Sequence, residues 1–380
     1  MNDKILLLGG TGAMGLALEN LMRGGHYEVY ITSRSKHKSY GNIHYVELNG
    51  LDYDAVNEYV KDKHFLAVFD FMLYLSLKNF KRSLTLLSNH TDQYFFFSSS
   101  RVYAESDNIT EESPRLLDTC KDTEYLATNE YALAKAREED IIRKSGLHNI
   151  TIIRPYITYN ENRLQLGAFE KEVWLFRALH NHSIVFFNEL MLKKTALTDS
   201  HDTAELLLGL IGKPDAIGTT FQIANNESTP WSDILNLYLD VLKKEIHYDK
   251  KPVIIGGAEK MGYIQGNLYQ VKVDRMYNRS FDSSKVLTVS ESIGGFTPVE
   301  VGLKNAIEGF LKNWKQNPSQ TIKGSNWLVQ GVVDRITHEW FTKEELNQIG
   351  AKDKIKYYAG RLLPIELVYK IRKSKMKNGR

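Results

Sequence analysis

Lys4-Ile5-Leu6-Leu7-Leu8-Gly9-Gly10-Thr11-Gly12-Ala13-Met14-Gly15 decides the fold of this chain. Ile5 to Leu8 is a short all-apolar run, suited to a strand buried on both faces, and it ends in two glycines. From Ala13 the spacing turns helical, with Met14, Leu18 and Leu21 on one side, until Gly24-Gly25 stops the helix. Gly10 to Gly15 reads G-x-G-x-x-G, directly after a strand and opening a helix, the context that gives this motif meaning. The glycines meet separate needs: a tight turn, close approach of backbone to a pyrophosphate, and tight packing of helix on strand. The free N–H groups and the dipole at the helix start then favour an anion. Gly9, Gly10, Thr11, Gly12, Ala13, Met14 and Gly15 are therefore candidate dinucleotide-binding residues. A ligand-free glycine turn is the weaker alternative.

Working outward, Val29 to Thr32 reads as a second strand, Asp54 to Lys61 as a second helix, Phe65 to Phe69 as a third strand and Tyr94 to Phe97 as a fourth. Strongly apolar strands alternating with helices indicate an α/β fold, a Rossmann-type doubly wound parallel sheet. Ile150 to Arg154 is a further strand closed by Pro155, and Asn160 to Gly167 is polar and reads as loop. Lys171 to His180 looks helical and Ile184 to Phe187 strand-like. Ala204 to Ile211 is an apolar helix, and Thr220 to Ala224 is a strand expected to return to the sheet. The expected organisation is a dinucleotide-binding domain over 1–160, with return segments at about 184–225. A smaller mixed α/β substrate domain follows over 161–330, then a basic C-terminal helical extension over 331–380.

Composition narrows the class. The chain has 380 residues, 42% hydrophobic and 25% charged, ordinary values for a globular protein. A net charge of +3 is too small to imply a nucleic-acid partner, and none is expected. The single cysteine, Cys120, excludes an intrachain disulfide and fits a reducing compartment. Ile5 to Leu8 is too short for a secretory signal core, and no run nears the ~20 apolar residues of a membrane span. The expected location is the cytoplasm, and no metal site is expected.

The dinucleotide is chosen at the end of the second strand. An NAD site usually places an acid there to bind the ribose 2′-hydroxyl. Here Thr32-Ser33-Arg34-Ser35-Lys36 stands instead, with no acid between Glu28 and Glu47. Arg34 can pair a 2′-phosphate and Ser33 can donate to it. NADP is preferred over NAD, ahead of the reading as a solvated basic loop.

Tyr131-Ala132-Leu133-Ala134-Lys135 sets a phenol and an ammonium four residues apart, on one face of a helix. A free tyrosine titrates near about 10 and is a poor base at neutral pH. A neighbouring cation favours the phenolate, and bringing a phenol to about 7 needs about 4 kcal/mol of differential stabilisation. Y-x-x-x-K alone is common on helix surfaces. It gains weight from Phe97-Ser98-Ser99-Ser100-Arg101-Val102-Tyr103, whose hydroxyls end the fourth strand, where an open α/β sheet faces its ligand.

Gly9-x-x-Gly12-x-x-Gly15, Ser-Ser-x-x-Val-Tyr and Tyr-x-x-x-Lys, in this order, resemble the extended short-chain dehydrogenase/reductase family and its NAD(P)-dependent epimerase/dehydratase branch. Ile153-Arg154-Pro155-Tyr156, Leu197 to Asp202, Phe281 to Lys285 and Gly295 to Pro298 extend the likeness over roughly residues 1 to 315. The resemblance implies catalytic roles for Ser99, for Tyr131 as general acid/base, and for Lys135, which also binds ribose. It places Asn49 near the adenine. It also implies an oxidoreductase or isomerase that moves a hydride between the nicotinamide and a nucleotide-sugar substrate, as an epimerase or a reductase. A homodimer is expected. Two departures stand out: Ser100-Arg101 replaces the Asp-Glu of the dehydratases, which sets dehydration aside, and Asp70 to Tyr74 replaces a His-x-Ala-Ala stretch.

For the sugar diphosphate the basic candidates are Arg163, Lys193, Lys194, Lys272, Arg275 and Arg279. From Lys352 onward ten Lys or Arg face only Asp353 and Glu366, among several aliphatic residues. Packing of this tail on its own domain ranks ahead of peripheral contact with an anionic membrane. The competing function is a non-catalytic dinucleotide-binding regulatory or RNA-binding member of the same fold. Retention of Ser99, Tyr131 and Lys135 together argues against it.

Overall fold

The computed structural model describes residues 3–74, 76–318 and 325–378. The chain divides into two compact units, the first made of 1–160, 196–228 and 280–299, the second of 161–195, 229–279 and 300–380.

The first unit is built on seven strands: β1 (Lys4–Leu8), β2 (Glu28–Ser33), β3 (Ile43–Glu47), β4 (Phe65–Asp70), β5 (Thr91–Phe97), β6 (Ile150–Pro155) and β7 (Thr220–Ile223). They pair in the order β3-β2-β1-β4-β5-β6-β7 and all are parallel. Leu6 pairs with Tyr30 on one side and Val68 on the other. The chain runs outward from β1 to β3 and then crosses to β4, so the strand order reverses between β1 and β4. An open α/β sheet takes its ligand at the carboxyl ends beside such a switch point.

Helices α1 (Ala13–Met22), α2 (Tyr53–Val60), α3 (Leu77–Ser88), α4 (Tyr131–Lys144) and α5 (Ser200–Gly209) cover the sheet. On one face Ile5, Leu7, Val29, Ile31 and Phe97 pack with Leu18 of α1 and Leu206 and Leu207 of α5. On the other, Leu6, Leu8, Val68 and Phe96 pack with Val56, Phe80, Leu84 and Ile142 of α2, α3 and α4. Both faces are covered, so side chains of opposite direction are equally apolar, which produces the unbroken Ile5 to Leu8 run.

Phe65–Phe69, expected as the third strand, lies within the fourth. Ile43–Glu47 adds an edge strand in which Ile43 alone is fully buried, so it lacks the apolar run that marks its neighbours. Thr220 to Ile223 returns to the sheet through its pairing with β6. Ile184 to Phe187 does not: Val185–Phe187 lies in the second unit and pairs with Val253–Ile255. Within the stretch read as loop, Gln165–Leu166 forms a short hairpin with Phe169–Glu170.

In the second unit α6 (Ala258–Gln265), α7 (Trp327–Thr337), α8 (Ala351–Leu362) and α9 (Ile365–Asn378) carry the C-terminal part. Arg177 is buried and donates to Asp334 at 2.7 Å, Gln330 at 3.2 Å and Glu339 at 2.9 Å. Gln330, Asp334 and Glu339 thus fasten the C-terminal part to the unit that contains Arg177. Among the described residues no helix is long and apolar enough to cross a membrane.

Candidate functional site

The glycine loop sits at the carboxyl end of β1. Gly9 takes φ of 73°, which suits glycine, and its N–H donates to Thr32 Oγ1 on β2 at 2.8 Å. A Cβ on Gly15 would stand 2.2 Å from the Gly10 carbonyl oxygen, so the loop closes on the helix only with glycine there. A Cβ on Gly12 would meet no atom within 4 Å. Gly12 is the N-cap of α1 and no side chain caps that end, which leaves its leading N–H groups for an anion. Thr11 is exposed beside it, Ala13 is half-buried, and Met14 packs toward the core. Gly10 is buried, and its N–H donates to Leu7.

At the end of β2, Ser33 is nearly buried and its hydroxyl accepts from Ser35 N at 3.2 Å and contacts His37 Nε2 at 3.1 Å. Arg34 is exposed. Asn49 is exposed just beyond β3, and its side chain accepts from Leu51 N at 3.2 Å.

Two strands from β1, a spacing of about 10 Å across the sheet, β5 ends in three serines with different duties. Ser98 donates to Glu139 at 2.6 Å and Ser100 to the Arg154 carbonyl at 2.7 Å. Both hydroxyl hydrogens are engaged inside the fold. The Ser99 oxygen accepts from Arg101 N at 3.2 Å, and among the described residues its own hydrogen meets no acceptor. The serine selected by the resemblance is the one left able to donate.

Arg101 links Ser99 to Tyr131. Its guanidinium lies 5.2 Å from the centre of the Tyr131 ring and forms an ion pair with Glu130 at 2.5 Å. Glu130 is the N-cap of α4, accepting from Ala132 N at 2.9 Å, so Tyr131 is the first residue of that helix and is half-buried. Lys135, one turn on, is buried. Its Nζ donates to Glu138 Oε2 at 2.9 Å and lies 4.8 Å from the Phe96 ring. Burial raises Glu138, with Lys135 opposing. Burial also raises Asp70, whose carboxylate accepts from Tyr74 at 2.7 Å, Tyr94 at 2.5 Å and Met72 N at 2.9 Å. Glu138 escaped the sequence reading, although it stands at helical spacing from Lys135, whereas Asp70 was noted only as a departure from the family's stretch.

Arg154, from the Arg-Pro segment, is a strut. It is buried and holds Glu139 through Nε at 2.8 Å and Nη2 at 2.7 Å, and it donates to the Tyr103 hydroxyl at 2.9 Å. Burial works against ionisation of Glu139, but hydrogen bonds from Arg154 and Ser98 hold its carboxyl below the usual range.

In the second unit most of the basic candidates are engaged. Arg275 and Arg279 are buried around Asp274, and Arg275 also donates to the Gly167 carbonyl at 3.1 Å. Lys272 pairs with Glu259 at 3.1 Å and Arg163 with Glu170 at 3.5 Å. Lys193 is half-buried, and Lys194 is exposed. His182, Asp334 and Glu339 bring ligand atoms within 4.8 Å of one another. Arg177 bridges both carboxylates there and Lys250 donates to Glu339 at 2.7 Å, so protein cations already occupy that charge.

The model of the NAD dependent epimerase/dehydratase family matches residues 5–224. No curated protein matches the chain. Among solved structures it is similar to an epimerase from Methanothermobacter thermautotrophicus, at 14% identity and a TM-score of 0.63, covering 84% of this chain and 95% of that one. It is similar to the enzyme WbmH of Bordetella bronchiseptica in complex with NAD+, at 14% identity and a TM-score of 0.61, covering 83% and 99%. A UDP-glucuronic acid 4-epimerase from Bacillus cereus in complex with NAD gives 14% identity and a TM-score of 0.60, covering 82% and 99%. At these identities the likeness is one of fold. The family match spans the glycine loop, the serines after β5 and the start of α4, and the chain belongs to the NAD dependent epimerase/dehydratase family.

Proposed function

We propose that the protein is an NAD(P)-dependent epimerase or reductase of a nucleotide-activated sugar. The observation that carries this reading is the chain Ser99–Arg101–Tyr131 at the carboxyl edge of the sheet, two strands from an uncapped, glycine-lined helix start. The bound dinucleotide would supply a hydride-accepting and hydride-donating nicotinamide. The loop from Gly9 to Gly15 and the leading N–H groups of α1 would hold its pyrophosphate, and Asn49 would stand near the adenine.

Ser99 donates its free hydroxyl hydrogen to the sugar oxygen and fixes its position. Tyr131 takes or returns the proton on that oxygen. Lys135 supplies the positive charge one turn away, and its contact with Glu138 orients it. An epimerase and a reductase share these steps and differ in whether the cofactor leaves. The UDP-sugar epimerases among the similar folds support a nucleotide-sugar as substrate. The exposed Arg34, with no acid near it at the end of β2, supports NADP, whose 2′-phosphate its guanidinium would pair.

The test is turnover of purified protein on a panel of nucleotide-sugars with NADP and NAD, beside Tyr131→Phe. The expected result is epimerisation or reduction of at least one sugar, lowered about 10²- to 10⁴-fold in the variant with dinucleotide binding kept. Dinucleotide binding without turnover of any sugar, together with no effect of Tyr131→Phe, overturns the enzyme reading and leaves a dinucleotide-binding regulator.

A further inference from the structure

The segment from Lys352 to Arg380 holds ten of the chain's 49 basic residues and two of its 46 acids, a net +8, while the first 351 residues carry −5. Charge this asymmetric marks a surface that meets an anionic partner. The structure shows what accompanies the charge.

Helix α8 turns one face inward against α7 through glycines. A Cβ on Gly360 would stand 2.0 Å from the Leu328 carbonyl oxygen, and one on Gly331 would stand 2.0 Å from that of Tyr357. Tyr357 is fully buried on this face and donates to Asp334 at 2.5 Å. So close a crossing fixes the rotation of α8 about its axis. The opposite face therefore points outward by construction, and it is apolar: Ile355 is 69% exposed, Leu362 73% and Tyr358 43%. Lys352 and Lys356 are exposed on the same helix. Trp340, 54% exposed, lies under the Arg361 guanidinium at 3.2 Å.

Helix α9 is seated on α6. Val368 is buried, Arg372 donates to the carbonyls of Ile264 at 2.9 Å and Gln265 at 3.2 Å, and the Tyr369 ring lies 5.0 Å from that of Tyr263 at a tilt of 42°. Packing on its own unit, the favoured expectation for the tail, therefore accounts for the inner faces of α8 and α9. It leaves Ile355, Tyr358 and Leu362 outside.

We propose that the outer face of α8, with Trp340 beside it, is a docking surface for an anionic phospholipid bilayer. Aliphatic side chains flanked by lysines, with aromatic rings at the margin, match the boundary between headgroups and acyl chains. A second copy of the chain would bring like charge against like charge at this face. A nucleic acid would use the lysines but gain nothing from Ile355 and Leu362.

The experiment is flotation of the full-length protein with vesicles of phosphatidylglycerol and phosphatidylcholine, against vesicles of phosphatidylcholine alone, at low and high salt. The expected result is partition to the anionic vesicles, weakened by salt. I355D/L362D should partition about tenfold less, as should K352E/K356E, each with an unchanged unfolding midpoint. Equal partition to both vesicle types, or full partition of both variants, overturns the proposal. So does an absence of vesicle binding accompanied by a concentration-dependent dimer lost in I355D/L362D, or by salt-sensitive RNA binding.

Discussion

The guanidinium of Arg101 lies 5.2 Å from the centre of the Tyr131 ring while its own backbone N–H is bound to the Ser99 oxygen. One residue therefore sets the relation between two that are thirty-two positions apart in the chain. A cation over an aromatic face is worth about 1 kcal/mol or more when shielded from water. Arg101→Leu should lower turnover by about tenfold and leave dinucleotide affinity unchanged. Steady-state kinetics beside a cofactor titration check this, and equal loss in both would point to general damage at the site.

Gly15 has no tolerance for a side chain, because a Cβ there would stand 2.2 Å from the Gly10 oxygen. Gly15→Ala should destabilise the protein by about 1–3 kcal/mol and abolish dinucleotide binding, since the loop must open to admit the methyl. Gly12→Ala meets no atom within 4 Å and should fold as the parent does. It tests the ligand alone: fluorescence titration should show weaker binding without a change in thermal midpoint.

Arg34 is exposed at the end of β2, and no acid shares its strand end. If NADP is the cofactor, as proposed, Arg34→Asp should weaken NADP by tenfold or more and improve NAD. The ratio of the two dissociation constants is the measurement. An unchanged ratio would assign the preference elsewhere.

Acid should loosen the second unit first. Burial, then the nearby Arg177 charge, lower His182 from its ordinary 6.5, so the unfolded chain binds that proton more tightly. Its contribution is complete above about 6.5 and falls as the pH drops below that value. Burial alone would raise Glu339, but hydrogen bonds from Lys250 and Ser183 hold it at about 2, below its ordinary 4.5. Its contribution is present above 4.5 and is lost on the way down to about 2. Lys250→Met should therefore move the acid transition to higher pH, as read by circular dichroism.

The first unit was legible because each buried strand announces itself. Ile5 to Leu8 is apolar on every residue, and Gly15 leaves a motif that only one local geometry explains. The edge strand Ile43–Glu47 was illegible for the opposite reason, since only Ile43 is fully buried and the polar residues around it look like loop. Helix α3 went unread although Phe80, Leu84 and Leu87 keep helical spacing. At the site, Ser99, Tyr131 and Lys135 carried recognisable spacings. Glu139 and Arg177 did not, because a buried charge is defined by partners that are distant in sequence: Arg154 is 15 residues from Glu139 and Asp334 is 157 from Arg177.

Glu139 lies on the inner side of the helix whose first residue is Tyr131, gripped by Ser98, Arg154 and Arg115. None of those bonds passes through Tyr131. Scaffold and proposed chemistry are thus fastened separately: Tyr131 could be exchanged for another residue with the helix still seated. Loss of Glu139, by contrast, would strand a buried arginine and endanger the whole first unit. Glu139 is then the residue by which to judge whether the frame survives where Tyr131 is exchanged.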